Sequence, residues 1–118
     1  MWIMPLLKLE TTVALPEDKR QALLASLSKI VAETIGKPQQ YVMVAASQTA
    51  MQMSGVAGNA AYVEVRSIGG LGSDVNRKLS QKVCALLNNS LGVPENRIYL
   101  NFTEVEAGNW GWNGSTFG

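Results

Sequence analysis

One pattern occurs twice in this sequence, with an offset of 56 residues between the two copies. The run Ile-Gly-Lys-Pro at 35–38 corresponds to Leu-Gly-Val-Pro at 91–94. Upstream of these runs, apolar residues of the first copy fall on apolar residues of the second, as Leu23 does on Leu79. Such a repeat indicates two copies of one supersecondary unit that share a core.

Each copy predicts a strand, a helix and a second strand. Residues 5–13 and 61–68 alternate apolar and polar side chains, which is the period of a strand. The second strands are expected at 41–46 and 97–105. The segment 47–59 connects the two copies, and whether it contains a short edge strand is left open.

The helices are bounded by proline, serine and glycine. Pro16 suits the first turn of the first helix, and Gly36 suits its end. In the second copy we expect Ser73 to be the N-cap and Gly92 to end the helix. Apolar residues recur at helical spacing between these limits.

Two β-α-β units with right-handed crossovers place both helices on one face of a sheet. We therefore expect an α/β (α+β) fold, with duplicated β-α-β units that form a four-stranded mixed sheet covered by two helices. The strand at 41–46 is apolar on both faces, as strands are when both faces are covered. Since two helices cover one face, the sequence predicts an oligomer in which a neighbouring subunit covers the other.

Composition excludes several classes of function. The chain has 118 residues, a net charge of +1, one cysteine and no histidine. A near-neutral charge gives no reason to expect nucleic acid or an anionic membrane as a partner. Without histidine, the usual zinc sites and Ser–His or Cys–His pairs are excluded, and Cys84 has no cysteine to bond with. We expect Cys84 to be a small buried residue of the second helix.

No apolar run is long enough to span a bilayer, and charged residues follow the first apolar residues too closely for a signal peptide. We therefore expect a cytoplasmic protein, with secretion by a non-classical route as the alternative.

The last residues are rich in glycine yet include Trp110, Trp112 and Phe117. This tail is interpreted either as a flap over its own core or as a segment that packs on a neighbour or rims a pocket.

Four stretches identify a family. They are Met-Pro-Leu at 4–6, Gly-Lys-Pro-Gln-Gln-Tyr-Val at 36–42, Arg-Ser-Ile-Gly-Gly-Leu at 66–71, and Arg-Ile-Tyr-Leu-Asn-Phe at 97–102 with Gly-Trp-Asn-Gly-Ser-Thr-Phe at 111–117. In order and spacing the chain resembles the macrophage migration inhibitory factor family of the tautomerase superfamily. The resemblance implies a homotrimer with active sites between subunits.

Pro5 matches the catalytic proline of that family, which follows the initiator methionine. A proline at the start of a chain carries a secondary amine, whereas an internal proline nitrogen is an amide without basicity. An apolar pocket and a nearby lysine lower the pKa of such an amine from its usual value of about 8, so that it serves as a base near neutral pH. The alternative interpretation of Pro5 is an ordinary proline at the edge of a strand.

The resemblance also implies residues that bind the substrate. Lys37 would meet its carboxylate, the backbone of Ile68 would contact it, and Tyr99 and Asn101 would reach it from the adjacent subunit. The alternative interpretations need no substrate. Lys37 would be an ordinary lysine near a helix C-terminus, Ile68 a core residue, and Tyr99 and Asn101 polar residues on a partly solvated face of the sheet. Three further residues match positions at the rim of the family's pocket: Leu6, Trp110 and Phe117. At the position of Trp110 a smaller apolar residue is common in the family.

Two features depart from the family pattern. Ala-Ala-Tyr-Val at 60–63 stands where some animal members have Cys-x-x-Cys, so the chain is closer to plant and microbial homologues and no redox function is implied. Residues 1–4 are interpreted as an N-terminal extension or an alternative start, ahead of a single domain at 5–118. If the extension is retained, Pro5 stays an amide and Met1–Ile3 would fill the pocket.

The expected function is a keto–enol tautomerase of aromatic 2-oxo acids such as phenylpyruvate, with dopachrome as a second substrate. Pro5 would be base and acid, and no cofactor or metal is expected. The partners would be the keto acid and two further copies of the chain, without nucleic acid or membrane. The alternative is a non-catalytic, oligomeric binding or cytokine-like protein in which Pro5 is blocked.

Overall fold

The computed structural model describes residues 4–118, and the expectation that Met1–Ile3 fill a pocket lies outside these residues. The first copy of the repeat forms three elements: β1 (Leu6–Thr11), α1 (Glu17–Ile35) and β2 (Met43–Gln48). The second copy forms the equivalent three: β3 (Ala61–Ser67), α2 (Ser73–Leu91) and β4 (Ile98–Glu104). Two short strands follow near the end of the chain: β5 (Gly111–Trp112) and β6 (Ser115–Thr116).

Within residues 4–118 the long strands form one four-stranded sheet in the order β2-β1-β3-β4. The strands within each copy are parallel, as a β-α-β crossover requires, and β1 pairs antiparallel with β3. Each copy thus contributes two of the four strands of one mixed sheet. The predicted fold class is confirmed.

The core lies between the helices and one face of the sheet. Leu7 and Leu9 of β1 are fully buried, as are Val63 and Val65 of β3. The helices supply the opposite wall with residues at helical spacing: Leu23, Leu27, Val31, Leu79, Val83, Cys84 and Leu87. Burying one such aliphatic side chain contributes about 1.5–3 kcal/mol, so this layer is the main stabilising feature of each copy. Cys84 is buried as expected.

Both helices end at the predicted glycines. Gly36 and Gly92 have φ angles of +83° and +69°, and their N–H groups donate to Ala32 O and Asn88 O. The left-handed conformation turns the chain sharply towards the next strand, and glycine adopts it without steric cost. The repeated Gly-x-Pro therefore has the same structural role in both copies.

The helix starts differ by one residue from the prediction. Gly72 is the N-cap of α2, and its carbonyl accepts from Asn76 N at 2.8 Å, so Ser73 is the first helical residue and caps nothing. Pro16 likewise lies before the first turn of α1, with its carbonyl accepting from Arg20 N at 2.8 Å. In neither helix does a side chain cap the first turn.

The strand bounds shift where tight turns intervene. Residues 39–41 form a 3-10 turn, so β2 begins at Met43 rather than at 41 and continues to Gln48. The connection 49–59 adds no strand to the described sheet. It contains an isolated antiparallel bridge between Met53 and Val56.

The second face of the sheet is not covered by the described chain. Its side chains are the alternate residues of each strand, and on the central strands they are largely charged: Lys8, Glu10, Tyr62, Glu64 and Arg66. On the edge strand β2 the same face carries Met43, which is 68% exposed. The apolar surface on which the prediction of an oligomer rests therefore lies along β2 and its neighbour Leu6, where a contacting subunit would bury it.

The fold alters the ionisation of Tyr62, whose side chain lies on this face. Its hydroxyl donates to Glu64 Oε1 at 3.0 Å. Burial, followed by this hydrogen bond and the Glu64 charge, raises the pKa of Tyr62, while Arg66 lowers it.

We expect Gly36→Ala and Gly92→Ala each to lower the free energy of unfolding by about 1–2 kcal/mol, because alanine is strained at positive φ. A Cβ at either position would meet no atom within 4 Å, so the effect isolates the backbone. Urea denaturation measures it. Gly108→Ala is the control, since it has equal space and no positive φ. Equal stability of all three variants would contradict the role of these glycines.

We expect the stability of the protein to fall less steeply at high pH in Tyr62→Phe than in the wild type. A raised folded-state pKa stabilises the protein below the unfolded value of about 10, and this contribution is lost as the pH rises through the folded value. Denaturation at a series of alkaline pH values measures the difference. In Glu64→Gln, absorbance titration should show the Tyr62 phenol ionising at lower pH; an unchanged curve would contradict the coupling.

Candidate active site

The sheet has two ends, and the predicted site residues divide between them. At one end β1 and β2 begin, while β3 and β4 finish, because β1 and β3 are antiparallel. We call this the Pro5 end. At the opposite end the connection 49–59 joins β2 to β3.

Pro5 lies immediately before β1 and its ring is fully buried. Its carbonyl oxygen accepts from Met43 N at 3.0 Å, which extends the β1–β2 ladder by one bond. A proline tolerates this position because the ladder needs no donor from its nitrogen. Its alternation with Leu7 and Leu9 places the ring on the helix side of the sheet.

A cavity of about 430 Å³ opens beside Pro5. It is lined mainly by apolar and aromatic residues: Met4, Pro5, Leu6, Gln40, Tyr41, Val42, Met43, Trp110, Gly111 and Trp112. Its volume and lining suit a small aromatic molecule. Of the predicted site residues it brings together Pro5, Leu6 and Trp110.

The aromatic tail forms the outer wall of this end. Asn113 and Gly114, with φ angles of +52° and +79°, turn β5 into β6. The Trp112 and Phe117 rings stack with centroids 5.7 Å apart and planes 14° apart. Phe117 N also donates to Trp110 O at 3.2 Å. Of the interpretations given for the tail, the structure of residues 4–118 agrees with the one in which the tail rims a pocket.

Phe117 lines a second, smaller cavity of about 180 Å³ next to the first. Its other lining residues are Met4, Gln40, Tyr41 and Trp112. Tyr41 and Trp112 were not selected from the sequence as site residues, although both lie within the family-like stretches. Two features of the sequence could have identified them. Trp112 is an aromatic residue of the glycine-rich tail, and Tyr41 is an aromatic residue shortly after Gly-Lys-Pro at 36–38.

Lys37 and Ile68 also lie at the Pro5 end but are not part of the described cavity lining. Lys37 directly follows Gly36, and its N–H donates to Ala32 O at 2.9 Å. Ile68 directly follows β3 and is buried. Two glycines with positive φ, Gly69 and Gly70, follow it and leave the main chain open to close approach.

Tyr99 and Asn101 lie on β4 and do not line the cavity beside Pro5. Both are exposed on the helix-free face, and Tyr99 is 66% exposed. Through Tyr62 of β3, Tyr99 is in register with Glu10 of β1, which lies five residues after Pro5, and β4 is two strands away from β1. With about 3.4 Å per residue and 4.8 Å per strand, the Pro5 and Tyr99 Cα atoms are roughly 20 Å apart. The same chain therefore does not bring these two residues together.

A more open groove of about 600 Å³ lies at the end of the sheet opposite to Pro5. Its lining is uncharged: Thr12, Gln48, Thr49, Ala50, Met51, Ala57, Gly58 and Asn59.

Within residues 4–118, no group of three histidine, cysteine, aspartate or glutamate side chains is arranged to hold a metal ion. No helix in the same range is long and apolar enough to cross a membrane.

The chain is similar to known proteins along nearly its whole length. The model of the family described as macrophage migration inhibitory factor (MIF) matches residues 4–118. The macrophage migration inhibitory factor of Rattus norvegicus is 37% identical over 98 residues, which cover 82% of this chain and 85% of that one. The homolog of Trichuris trichiura is 36% identical over 115 residues, which cover 97% of this chain and 100% of the relative.

Solved structures give the same result. The macrophage migration inhibitory factor homologue of Prochlorococcus marinus is 41% identical and superimposes with a TM-score of 0.90 over 96% of this chain and 99% of its own. The macrophage migration inhibitory factor-like protein of Entamoeba histolytica, 32% identical, gives 0.93 over 97% and 99%. On sequence, sheet topology and length together, the chain belongs to the macrophage migration inhibitory factor family.

Proposed function

We propose that this protein is a keto–enol tautomerase of aromatic 2-oxo acids, phenylpyruvate above all, with dopachrome-type rings as a second class. The observation that carries the proposal is the apolar, aromatic cavity beside Pro5. The proposal holds for the form of the chain in which Pro5 is the first residue. Only then is its nitrogen a secondary amine.

The cavity favours a neutral amine at this position. Apolar surroundings disfavour the ammonium form, which lowers the pKa of a terminal amine from about 8 towards neutrality. In ketonisation of an enol, the amine accepts the proton of the enol hydroxyl as its oxygen becomes a carbonyl. The resulting ammonium returns a proton to the neighbouring carbon, so the amine is regenerated and no cofactor is consumed.

The aromatic walls and the flanking residues would orient the substrate. The rings of Trp110 and Trp112 offer stacking surfaces for a phenyl group. Lys37, at the same end of the sheet, is proposed to bind the carboxylate, and the backbone at Ile68 to contact the substrate. Leu6 and Phe117 complete the proposed rim.

The separation of Tyr99 and Asn101 from Pro5 supports a site shared between subunits. Both project from the helix-free face, whereas Pro5 is on the helix side of the sheet. We propose a homotrimer in which each chain offers these two side chains to the next chain's pocket. A head-to-tail contact of this kind forms a ring when the rotation between neighbouring subunits closes on itself, as a trimer requires.

The second candidate function is an oligomeric binding protein without catalysis. It is favoured by Met4, which precedes Pro5 and lines both cavities at this end. A retained Met4 makes the Pro5 nitrogen an amide.

The single domain at 5–118 and the cytoplasmic location stay predictions.

We expect the chain that begins at Pro5 to catalyse phenylpyruvate ketonisation well above the solution rate. Pro5→Gly, which keeps a terminal amine but not a secondary one, should lower kcat/KM by about 100-fold or more, the scale of a lost acid–base group. The control is the chain that retains Met1–Met4, verified by intact mass, which should be inactive. Equal activity of the extended chain would exclude Pro5 as the base, whereas a chain that begins at Pro5 and shows no activity would favour the binding protein.

We expect two inactive variants to restore activity when their chains mix. Pro5→Gly lacks the base, and the double variant Tyr99→Ala with Asn101→Ala lacks the residues offered to the neighbour. In randomly mixed rings about one quarter of the pockets combine an intact base with intact partner residues, so about one quarter of wild-type activity should return. Activity after co-refolding measures this.

The control for mixing is Pro5→Gly combined with a triple variant that lacks all three groups. No pocket in those mixtures has the base, so activity should stay at the variant level. Mixed oligomers without any recovery in the first experiment would show that Tyr99 and Asn101 do not act across subunits.

A further inference from the structure

Three aromatic residues line the cavity beside Pro5, and Trp110 differs from the other two in its position. Tyr41 and Trp112 also line the smaller cavity next to it, whereas Trp110 lines only the cavity that Pro5 lines. Most other side chains of this lining are aliphatic or thioether groups. Trp110 is therefore the aromatic wall that the Pro5 cavity does not share with its neighbour.

The backbone on both sides of Trp110 determines where its ring lies. The Trp110 N–H donates to Ala107 O at 3.3 Å, and its carbonyl accepts from Phe117 N at 3.2 Å. These two bonds are at the base of the hairpin that β5 and β6 form. The side chain itself is half-buried. While the hairpin is closed, the indole is already in place, so a ligand that stacks on it loses little free energy in ordering it.

The ring of Trp112 is engaged differently. It stacks on Phe117, with centroids 5.7 Å apart, and the residue is 60% exposed. Within residues 4–118 the ring of Trp110 stacks on no other ring. Electrostatic attraction between rings is weaker where water surrounds them. Of the two tryptophans, Trp110 is thus the one with a ring face available inside the cavity.

Shape alone does not select an aromatic ligand in this cavity. Its volume of about 430 Å³ is that of a site for a drug-sized ligand, which a monocyclic acid does not fill. Apolar walls accept a phenyl and a cyclohexyl group alike, because the hydrophobic effect follows buried area and has no direction. A preference for aromatic ligands therefore needs a wall that interacts with the π system of the ligand.

We propose that Trp110 is the specificity-determining residue that makes this site prefer aromatic over aliphatic 2-oxo acids. The inference deepens the proposed function and rests on it. The phenyl ring of the substrate packs against the free face of the Trp110 indole, and its 2-oxo acid end extends towards Pro5. Trp112 contributes apolar contact to both classes of acid equally.

The test compares two acids that differ only in the ring, 3-phenylpropanoate and 3-cyclohexylpropanoate, neither of which has a keto group. Isothermal titration calorimetry on the chain that begins at Pro5 gives a Kd for each acid. The Kd of the cyclohexyl acid divided by that of the phenyl acid measures the aromatic preference. This ratio should be about two- to tenfold higher in the wild type than in Trp110→Leu, the scale of one aromatic pair beyond its buried area.

Two further variants separate the ring from mere apolar surface. Trp110→Phe keeps an aromatic face and should keep most of the preference. Trp112→Leu removes apolar surface from the same cavity, so it should weaken the binding of both acids and leave their ratio as in the wild type. Circular dichroism should show unchanged helix content in all three variants, because the tail lies outside both helices.

Kinetics provide the second measurement. With phenylpyruvate and cyclohexylpyruvate as substrates, Trp110→Leu should reduce the ratio of their kcat/KM values by the same factor as it reduces the ratio of binding constants. Because the two keto acids share the reacting atoms, a change in the Pro5 chemistry alone would lower both values and leave the ratio constant.

A ratio of binding constants that is unchanged in Trp110→Leu overturns the inference, and turnover of phenylpyruvate in the wild type would then leave the proposed function intact. A ratio that falls equally far in Trp110→Phe or Trp112→Leu also overturns it, as does a wild type that binds neither acid. The predicted pattern of binding without any turnover supports the role of Trp110, and the proposed function then fails alone.

Discussion

Six residue pairs join β1 to β3 antiparallel across the middle of the sheet, from Leu6 with Arg66 to Thr11 with Ala61. Neither copy of the repeat covers its own apolar residues completely, since each has two strands and one helix. Pairing β1 with β3 places both helices over one continuous face, where Leu9 and Val63 meet in register and are fully buried. The antiparallel direction also sets which chain segments share an end of the sheet, and hence the position of the cavity.

The same register divides the predicted site residues into two groups. Pro5 precedes β1, and the aromatic tail follows β4, so both are at one end of the sheet. Tyr99 lies near the start of β4 and therefore belongs to the other half. A monomer with this topology has Pro5 on one face of the sheet and the side chains of Tyr99 and Asn101 on the other. Assembly is then a requirement of the proposed chemistry and not an addition to it.

Much of the fold could be predicted because its signals are local. Gly36 and Gly92 end the helices as expected, since left-handed backbone at a helix end selects glycine strongly. Ser73 was misplaced by one residue because a backbone carbonyl, that of Gly72, begins the helix without help from a side chain. The prediction of a covered second face rests on β2 alone, which is an edge strand, and the charged residues that the central strands place on that face do not contribute to it.

The site was less predictable because its walls come from distant segments. Residue matching to the family pointed to Pro5, Leu6 and Trp110, which the cavity brings together, but not to the contribution of Tyr41 and Trp112. Those contacts depend on how the tail folds back over the 3-10 turn at 39–41. Nor does any local pattern show that the bonding partners of Arg97 are carbonyls of the loop 49–59, because the chain folds between them.

The tail hairpin has a consequence for how a ligand enters and leaves. The stack of Trp112 on Phe117 and the bond from Phe117 N to Trp110 O lie within the tail itself, and Trp112 is 60% exposed. Segments with so little buried surface open at a far smaller free-energy cost than the sheet and helices beneath them. Amide hydrogens of residues 110–117 should accordingly exchange with solvent long before those of β1 and β3. Access to Pro5 would then be controlled by fraying of the terminal segment, on a timescale separate from that of global unfolding.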